Sequence, residues 1–390
     1  MPVENSKKSL EIWFLISGIL GVVCGITMAL IGLLTPKEDL PDLIFPDTTA
    51  IVDTGVYSRL TGLPLENAEL LTAPAYCVQI PNGTDGGRPQ AGLTEAGVVF
   101  EAIAEAGITR FAAIYQNPSS SIIGPIRSLR IYYLQWDTPF DCTIVHAGGS
   151  GDALAAVRAG GYKDLSENYT YMYRGTYGSR RWNNLFTTAK NLAAMNSNFG
   201  HGGSNISGFK RMTPSESLKS RIDTSAVSRL VITEPSSGNT SATVAKVPQV
   251  AINFGSWATF NVRYSYNADT NTYARSYATG AKHDVYQCPA GDKGNANPED
   301  VCDLVQLSPS VIAVIVVNEK RASDNYHEDI TTTGVGKAYV FQNGTVVRGT
   351  WSKGSINEQI KFFDENGEEV ALAPGQTFIE AIPSYGSVDY

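Results

Sequence analysis

The stretch GVVFEAIAEAGITRFAAIYQ (97–116) decides the fold, because it holds two apolar runs on either side of Ala106-Gly107. Two such runs around a short turn predict a β-hairpin. Around this hairpin, similar patterns predict three more strands and two helices: AYCVQI (75–80), SIIGPI (121–126) and CTIVHAGG (142–149), then SLRIYYLQWD (128–137) and DALAAVRAG (152–160). Strand, turn and helix in this order predict a mixed α/β domain over residues 57–234.

The second half of the chain is predicted to be mostly β. A Ser-, Thr-, Gly- and Pro-rich linker, residues 235–248, precedes it. Strand patterns then occur in FNVRYSYNADTNTYARSYATG (260–280), VIAVIVVNE (311–319) and KAYVFQNGTVVRGTW (337–351), the last with an Asn-Gly turn. We therefore expect an α+β protein with a β-rich domain over residues 249–390.

The N-terminal region holds an uncharged run, IWFLISGILGVVCGITMALIGLL (12–34), which is long enough to cross a hydrocarbon core of roughly 30 Å. Lys7 and Lys8 precede it, so residues 1–11 are expected to stay in the cytoplasm. Residues 35–56 are predicted to form a stalk, and the rest of the chain is expected outside the cell. The alternatives are a cleaved signal peptide or an unusual lipobox, although no small residue directly precedes Cys24.

The charge of the chain limits its possible partners, and its cysteines bear on the compartment in which it folds. The net charge is −8 and basic residues are scattered, so nucleic acid is not an expected partner. An oxidising exterior permits disulfides. Cys288 and Cys302 bracket a polar loop and are predicted to be bonded to each other. Cys77 and Cys142 could pair across a sheet or remain buried thiols.

The hairpin carries the first charged candidates. Pairing Glu105 with Ile108 and Ile103 with Arg110 would put Glu101, Glu105 and Arg110 on one face. Glu101 is the candidate general base of any reaction. The alternative is an ordinary salt bridge on the sheet surface.

An anion site is predicted next to this hairpin. Arg127 and Arg130 have the i, i+3 spacing that places both on one side of a helix start. The strand that contains His146 leads into Gly148, Gly149 and Ser150, directly before a helix N-terminus, which favours anions. Together with Arg110 these residues predict a site for a phosphate or a carboxylate. Alternatively, Asp152 caps its own helix and the arginines pair with Glu101, Glu105 and Asp137.

Other chemistries have weaker patterns. His283-Asp284 and His327-Glu328-Asp329 lack the spacing of a metal site, and no metal or cofactor is expected. Ser150 lacks the second glycine of a G-x-S-x-G nucleophile turn, because Asp152 stands in its place.

Three long motifs resemble the YerB-like family of bacterial envelope proteins: RPQAGLTEAGVVFEAIAEAGITRFAAIYQ, IIGPIRSLRIYY and IVHAGGS. GKAYVFQNGTVVRGTW and LAPGQTFIEAIP resemble the C-terminal signature of that family. The resemblance covers roughly residues 57–385 and implies paired N- and C-terminal domains of unknown function. The chain departs from many members in lacking a lipobox and in its cysteine-bracketed loop, which leaves lipidation open.

A more distant resemblance is to LytR-CpsA-Psr phosphotransferases, which hold a polyprenyl pyrophosphate with arginines. Arg127 and Arg130 would fall near the phosphate-binding arginine of that family. The acidic metal ligand that follows this arginine is missing, so the resemblance implies binding of a phosphorylated ligand more than transfer.

Three functions follow as hypotheses. The first is a membrane-anchored, cell-surface accessory protein that binds an anionic envelope ligand or an envelope protein without catalysis. The second is an enzyme of cell-wall or glycopolymer metabolism, a phosphotransferase or hydrolase, with Glu101 as its base. The third is a protein–protein adaptor with an exposed apolar patch.

Overall fold

The computed structural model describes residues 55–176, 183–221 and 247–390. The predicted membrane segment at residues 12–34 and nearly all of the linker at 235–248 lie outside these ranges. Within them, no helix is both long and apolar enough to cross a membrane. Residues 51–390 form one compact unit.

Helices are few and short in the described ranges. The α-helices are α1 (Ile131–Asp137), α2 (Gly151–Arg158), α3 (Ala189–Asn198), α4 (Pro214–Ser220) and α5 (Pro298–Val301). Short 3-10 helices span Ala68–Thr72, Leu93–Glu95 and Thr138–Phe140. The Thr188 hydroxyl caps α3 by accepting from the Asn191 N–H, and a Thr213–Glu216 capping box begins α4.

The strands of the first half are β1 (Ala75–Pro81), β2 (Val98–Glu105), β3 (Ile108–Gln116), β4 (Thr143–His146), β5 (Lys163–Ser166), β6 (Tyr173–Arg174) and β7 (Leu185–Phe186). Those of the second half are β8 (Gln249–Asn253), β9 (Val262–Asn267), β10 (Thr272–Tyr277), β11 (Asp284–Gln287), β12 (Asp303–Gln306), β13 (Val311–Val317), β14 (Glu319–Arg321), β15 (Glu328–Ile330), β16 (Gly334–Gln342), β17 (Thr345–Lys353), β18 (Lys361–Asp364), β19 (Thr377–Pro383) and β20 (Ser387–Asp389).

A ten-stranded sheet runs through both halves in the order β18-β17-β16-β13-β19-β2-β3-β1-β4-β5. The two halves join where β19 pairs in parallel with β2, and β19 also pairs in parallel with β13. A second sheet has the order β10-β9-β8-β20, and three two-stranded pairs complete the set: β6–β7, β11–β12 and β14–β15. The division into domains at 57–234 and 249–390 stays a prediction.

The central strands of the ten-stranded sheet are largely apolar on both sides, so each face of the sheet needs a covering layer. On one face, α1 packs with the Trp136 ring stacked on Phe100 at 5.3 Å. On the other, Ile312 and Val314 of β13 pack against the four-stranded sheet, including Tyr264. These two layers determine which side chains of β2 meet helices and which meet the second sheet.

The strongest sequence patterns are confirmed. The hairpin at 97–116 forms β2 and β3, and the buried run at 311–319 forms β13. Asn343 and Gly344 both have positive φ, as the predicted turn between β16 and β17 requires. The mixed α/β first half and the mostly β second half are also confirmed.

The predicted strand at 121–126 is wrong. Ile123 and Gly124 make only isolated bridges, to Thr187 and Ala91. Gly124 has a φ of +143°, and Pro125 has no N–H to donate. A continuous ladder cannot pass through this pair of residues.

Both possible disulfides are present. Cys288 and Cys302 are bonded with their Cα atoms 4.4 Å apart, as predicted. Cys77 and Cys142, which the sequence left open, also form a disulfide, with a Cα separation of 5.7 Å. Cys77 lies on β1 and Cys142 directly before β4, so this bond links two neighbouring parallel strands.

Candidate functional site

A bulge in β2 separates the two glutamates of the hairpin. Ile103 lies opposite Thr109, and the register shifts before Glu105, which lies opposite Ile108. The predicted pairing of Ile103 with Arg110 is therefore wrong. One extra residue in a strand turns every following side chain to the other face. Glu101 consequently faces the second sheet, away from Glu105.

Glu105 sits at the centre of an arginine cluster. Its Oε1 accepts from Arg110 Nη2 at 2.5 Å, and its Oε2 accepts from Arg130 Nη2 at 2.7 Å. All three side chains are at most 9% exposed. Burial alone would raise the pKa of Glu105, but Arg110 and Arg130 outweigh it and lower the pKa. Arg127 lies close enough to lower it further.

The arginine segment lies beside the glycine turn, as the sequence predicts. The N–H of Leu129 donates to the Gly148 carbonyl at 3.0 Å, and the N–H of Ser150 donates back to the Leu129 carbonyl at 3.0 Å. Leu129 and Gly149 form a parallel bridge. Arg110 Nη1 donates to the Ser128 carbonyl at 2.7 Å, which ties the hairpin to the same segment.

His146 lies at the end of β4 with both ring nitrogens engaged. Nδ1 is 2.7 Å from the Gly148 carbonyl oxygen and Nε2 is 2.8 Å from Asp164 Oδ1. Both ring nitrogens are therefore occupied by residues of the protein itself. His146 is 1% exposed and does not reach solvent. Its contact with the Gly148 carbonyl supports the glycine turn from inside the protein.

An open cleft of about 660 Å³ lies in front of Arg130. On one side are the starts of α1 and α2, with Ser150 and Gly151. On the other is the β14–β15 hairpin, with Lys320 and Arg321. We call this space the arginine cleft. Ser150 lines this space, and its buried hydroxyl has no hydrogen-bond partner among the described residues.

Carboxylates also line the arginine cleft, but most are engaged. Asp324 accepts from His327 Nδ1 at 2.6 Å and from two backbone N–H groups, which lower its pKa. Asp329 pairs with Lys320 at 3.3 Å, and Asp152 accepts from the N–H of Ala153 at 2.8 Å.

Arg321 differs from the other cations of the arginine cleft. In the part of the chain that the structure describes, its guanidinium makes no ion pair or hydrogen bond, and its side chain is exposed. It lies directly opposite Glu328 in the β14–β15 register. Arg321 is therefore a cation that a bound anion could engage without breaking an existing contact.

Glu101 lies in a different environment, a buried polar network between the two sheets. Oε1 accepts from Asn82 Nδ2 at 3.0 Å and from the Thr109 hydroxyl at 2.6 Å, and Oε2 pairs with Arg275. Glu101 and Arg275 are both 0% exposed. In this conformation the carboxylate is out of reach of a substrate.

Arg275 holds the network together. Its Nε donates to the Tyr264 hydroxyl at 2.9 Å, and Nη1 contacts His283 Nδ1. His283 Nε2 is 3.0 Å from Gln90 Oε1, which fits a neutral ring that donates from Nε2. Burial first, and Arg275 second, lower the pKa of His283, so it stays neutral.

Glu380 completes the network opposite Glu101, its partner in the β19–β2 register. Burial first, and the Glu101 charge second, raise the pKa of Glu380 well above its usual value. Glu380 is therefore held protonated beside the Glu101–Arg275 ion pair.

The sequence contains a signal for this network. Glu101 in VVFEAIAE and Glu380 in TFIEAIP each interrupt an apolar run in a strand whose residues are all buried. In β10, Arg275 alternates with Tyr273 and Tyr277 on the buried face. A charge at an inward position of a strand needs a buried partner. The pattern marks these residues, but their mutual pairing depends on the tertiary fold.

Residues 60–201 match the N-terminal domain model of a protein of unknown function, DUF3048, and residues 250–379 match the C-terminal domain model. The chain belongs to the DUF3048 family. A similar protein is the "Putative lipoprotein YerB" of Bacillus subtilis (strain 168), 25% identical over 336 residues, which cover 86% of this chain and 89% of that protein, and this similarity confirms the YerB-like resemblance.

A solved structure supports the fold. The crystal structure of the YerB protein from Bacillus subtilis matches with a TM-score of 0.65 and 20% identity, over 86% of this chain and 100% of that one. The LytR-CpsA-Psr similarity is not shown by these comparisons and stays a prediction. In the described ranges, no group of three or more His, Cys, Asp or Glu side chains could hold a metal ion.

Proposed function

We propose that this DUF3048 protein is a membrane-anchored accessory protein that binds an anionic envelope ligand in the arginine cleft. The observation that carries the proposal is that Arg110 and Arg130 share a single carboxylate, that of Glu105. This pairing leaves excess positive charge at Arg130, which lines the open arginine cleft. Burying a charge without full compensation is costly. A bound phosphate or carboxylate would supply the missing compensation.

The groups available in the cleft suit such an anion. Arg130 supplies charge from the buried side, and Arg321 supplies it from the β14–β15 hairpin. The Ser150 hydroxyl and the first two N–H groups of α2 add hydrogen-bond donors, whereas the third, that of Ala153, is engaged by Asp152. Arginine side chains can hold phosphates and carboxylates through two parallel hydrogen bonds.

Three observations support a location at the outer face of a membrane. Residues 12–34 have the length and composition of a single span with a cytoplasmic N-terminus. The two disulfides suit an oxidising compartment. The Bacillus relative carries the name "Putative lipoprotein YerB", and lipoproteins are held at membranes.

A wall-modifying enzyme with Glu101 as base has less support. A general base must come within hydrogen-bond reach of the proton that it removes. Glu101 is fully buried, and its oxygens are occupied by Asn82, Thr109 and Arg275. Its placement instead suits the joining of the two sheets.

The test is calorimetry of the full-length protein with inorganic pyrophosphate as the probe. The cleft variant is Lys320→Ala/Arg321→Ala, because both residues are exposed and removal of either leaves Glu105 paired. Arg110 and Arg130 are unsuitable, since their loss would leave a buried carboxylate short of a partner. The control is Lys282→Ala/Lys337→Ala, which removes two exposed charges elsewhere.

We expect the cleft variant to lose about tenfold or more in affinity, since each charge-assisted hydrogen bond contributes roughly 1.5–3 kcal/mol. The affinity of the control variant for pyrophosphate should stay within about twofold of that of the wild type. Lys282 and Lys337 do not line the cleft, so their loss changes only the screened, long-range electrostatic potential there. The proposal would be contradicted if the cleft variant and the control variant bound pyrophosphate with equal affinity, or if the wild-type protein did not bind it.

A further inference from the structure

A second groove, of about 540 Å³, adjoins the arginine cleft. Its walls are the tip of the β2–β3 hairpin at Ala106-Gly107, the loop 255–257 and Tyr385. Arg321 and Glu328 line both the groove and the cleft. We call this space the aromatic groove. The shared residues make it a continuation of the site proposed above.

Two aromatic rings stand exposed in the aromatic groove. Trp257 is 69% exposed and Tyr385 is 64% exposed. Each rests against a glycine: a Cβ on Gly107 would lie 3.1 Å from the Trp257 indole nitrogen, and a Cβ on Gly255 would overlap the Tyr385 ring. The glycines therefore let both rings lie close to the backbone while much of each ring faces solvent.

The Tyr385 ring and the backbone that carries Trp257 are held in place before any ligand arrives. The Tyr385 hydroxyl donates to Glu319 Oε1 at 2.9 Å. The Ser256 hydroxyl donates to the Gly107 carbonyl, and the Trp257 carbonyl accepts from the N–H of Phe260 at 2.8 Å. A binding surface that is ordered in advance loses little conformational entropy on binding.

We propose that the aromatic groove binds a saccharide chain, with sugar rings stacked on Trp257 and Tyr385 and an anionic substituent of that chain at Arg321. The inference rests on the proposed anion site, and it names the class of ligand that this site takes. The apolar C–H face of a sugar ring fits a flat aromatic surface. Its hydroxyl groups would meet Arg321 and Glu328 at the junction.

The shape of the aromatic groove favours a saccharide over a peptide. Its lining is made of small residues, Ala106, Gly107, Gly255 and Ser256, beside the two rings. A peptide that binds tightly needs pockets for its side chains or a free strand edge for its backbone. At the tip of the β2–β3 hairpin, Glu105 already bridges to His327, and Ala106 and Gly107 form a turn, so no strand edge is offered to a peptide there.

The charge at the junction selects an anionic saccharide. Arg321 makes no ion pair or hydrogen bond with any residue that the structure describes. It lies where the groove meets the cleft, so an acidic substituent could reach it while the sugar remains on the rings. A neutral saccharide would gain no charge-assisted hydrogen bond from this guanidinium, whereas an acidic substituent would.

The test measures binding of two probes to the full-length protein: a tetramer of galacturonic acid and inorganic pyrophosphate. The groove variants are Trp257→Ala and Tyr385→Ala. The control is Phe199→Ala, which removes another exposed ring, 54% exposed, at the end of α3. Arg321→Ala reports on the anion site itself.

We expect Trp257→Ala to weaken tetramer binding about tenfold and to leave pyrophosphate binding unchanged, since only the saccharide reaches the ring. Arg321→Ala should weaken both probes, and Phe199→Ala neither. Tetramer binding that is insensitive to Trp257→Ala would overturn the saccharide inference alone. Pyrophosphate binding that is insensitive to Arg321→Ala would instead overturn the anion site.

A peptide probe tests the remaining alternative, that the aromatic groove binds an acidic peptide. A tetraglutamate peptide carries the same number of side-chain carboxylates as the galacturonate tetramer but has no sugar rings. We expect it to bind more weakly than the tetramer and without dependence on Trp257. Equal binding with equal loss in Trp257→Ala would show a peptide site and contradict the inference.

Discussion

Glu101 of β2 and Arg275 of β10 form an ion pair with neither side chain exposed, although 174 residues separate them in the chain. The pair crosses from the ten-stranded sheet to the four-stranded sheet. Tyr264 and Glu380 lie beside it and complete the buried network. The two halves of the chain are therefore joined by buried charges as well as by apolar packing.

Arg275→Met should destabilise the protein by about 3–5 kcal/mol, because it leaves the Glu101 carboxylate buried without its cation. Urea unfolding of the full-length protein measures this. The matched control is Lys190→Met, whose partner Asp292 and own side chain are 52% and 69% exposed, and it should leave the free energy of unfolding nearly unchanged. Glu101→Gln/Arg275→Met should recover part of the loss. Similar costs for the buried and the exposed pair would refute this account.

Glu319 should make stability depend on pH. Burial raises the pKa of Glu319 from 4.5 to about 7. The folded state then binds this proton more tightly than the unfolded state, so the contribution is complete below about pH 4.5 and is lost as the pH rises through about 7. The loss is on the order of 3 kcal/mol, at about 1.4 kcal/mol per pKa unit.

Thermal unfolding at several pH values tests this prediction. Glu319→Gln should flatten the fall in stability between about pH 4.5 and 7. The control Glu299→Gln removes an exposed carboxylate from α5 and should retain the wild-type slope. If Glu319→Gln keeps that slope, Glu319 does not titrate in this range.

The two disulfides should differ in their contribution to stability. Cys77–Cys142 closes a loop with a sequence separation of 65, and Cys288–Cys302 one of 14. Chain entropy predicts about 4 kcal/mol for the longer loop and about 3 kcal/mol for the shorter. Urea unfolding of the paired Cys→Ala variants should show the larger loss for Cys77 and Cys142. Alkylatable thiols at either pair in native protein would contradict the pairing itself.

The predicted topology has its own test. A reporter enzyme that works only outside the cytoplasm should be active when it is fused after residue 36, and one that works only in the cytoplasm should be inactive there. The reason is that Lys7 and Lys8 precede the apolar run at 12–34. A fusion that is active in the cytoplasm would refute the single-span anchor. It would leave the fold of residues 51–390 untouched.

Much of the fold follows from local patterns in the sequence. The hairpin at 97–116 and the Asn343-Gly344 turn depend on neighbouring residues and could be predicted. The bulge in β2 could not, because nothing in VVFEAIAE indicates where one extra residue enters the ladder. That single residue places Glu101 and Glu105 on opposite faces and so divides the predicted charge cluster in two.

The site was predictable only in part. The proximity of Arg130 to the glycine turn follows from helix and strand order, and the structure brings them together. The opposite wall of the arginine cleft comes from Lys320 and Arg321, which are more than 150 residues away in sequence. Their placement depends on the parallel pairing of β19 with β2, a long-range contact that no local pattern shows.

The most direct test of the central claim is NMR of arginine side chains in the full-length protein, labelled with nitrogen-15 and titrated with inorganic pyrophosphate. The Nε–Hε signals of Arg130 and Arg321 should shift together and saturate, since both line the arginine cleft. The signal of Arg263, exposed on β9, should stay in place. Shifts of equal size at Arg263, or no saturable shift at Arg130 and Arg321, would contradict the account.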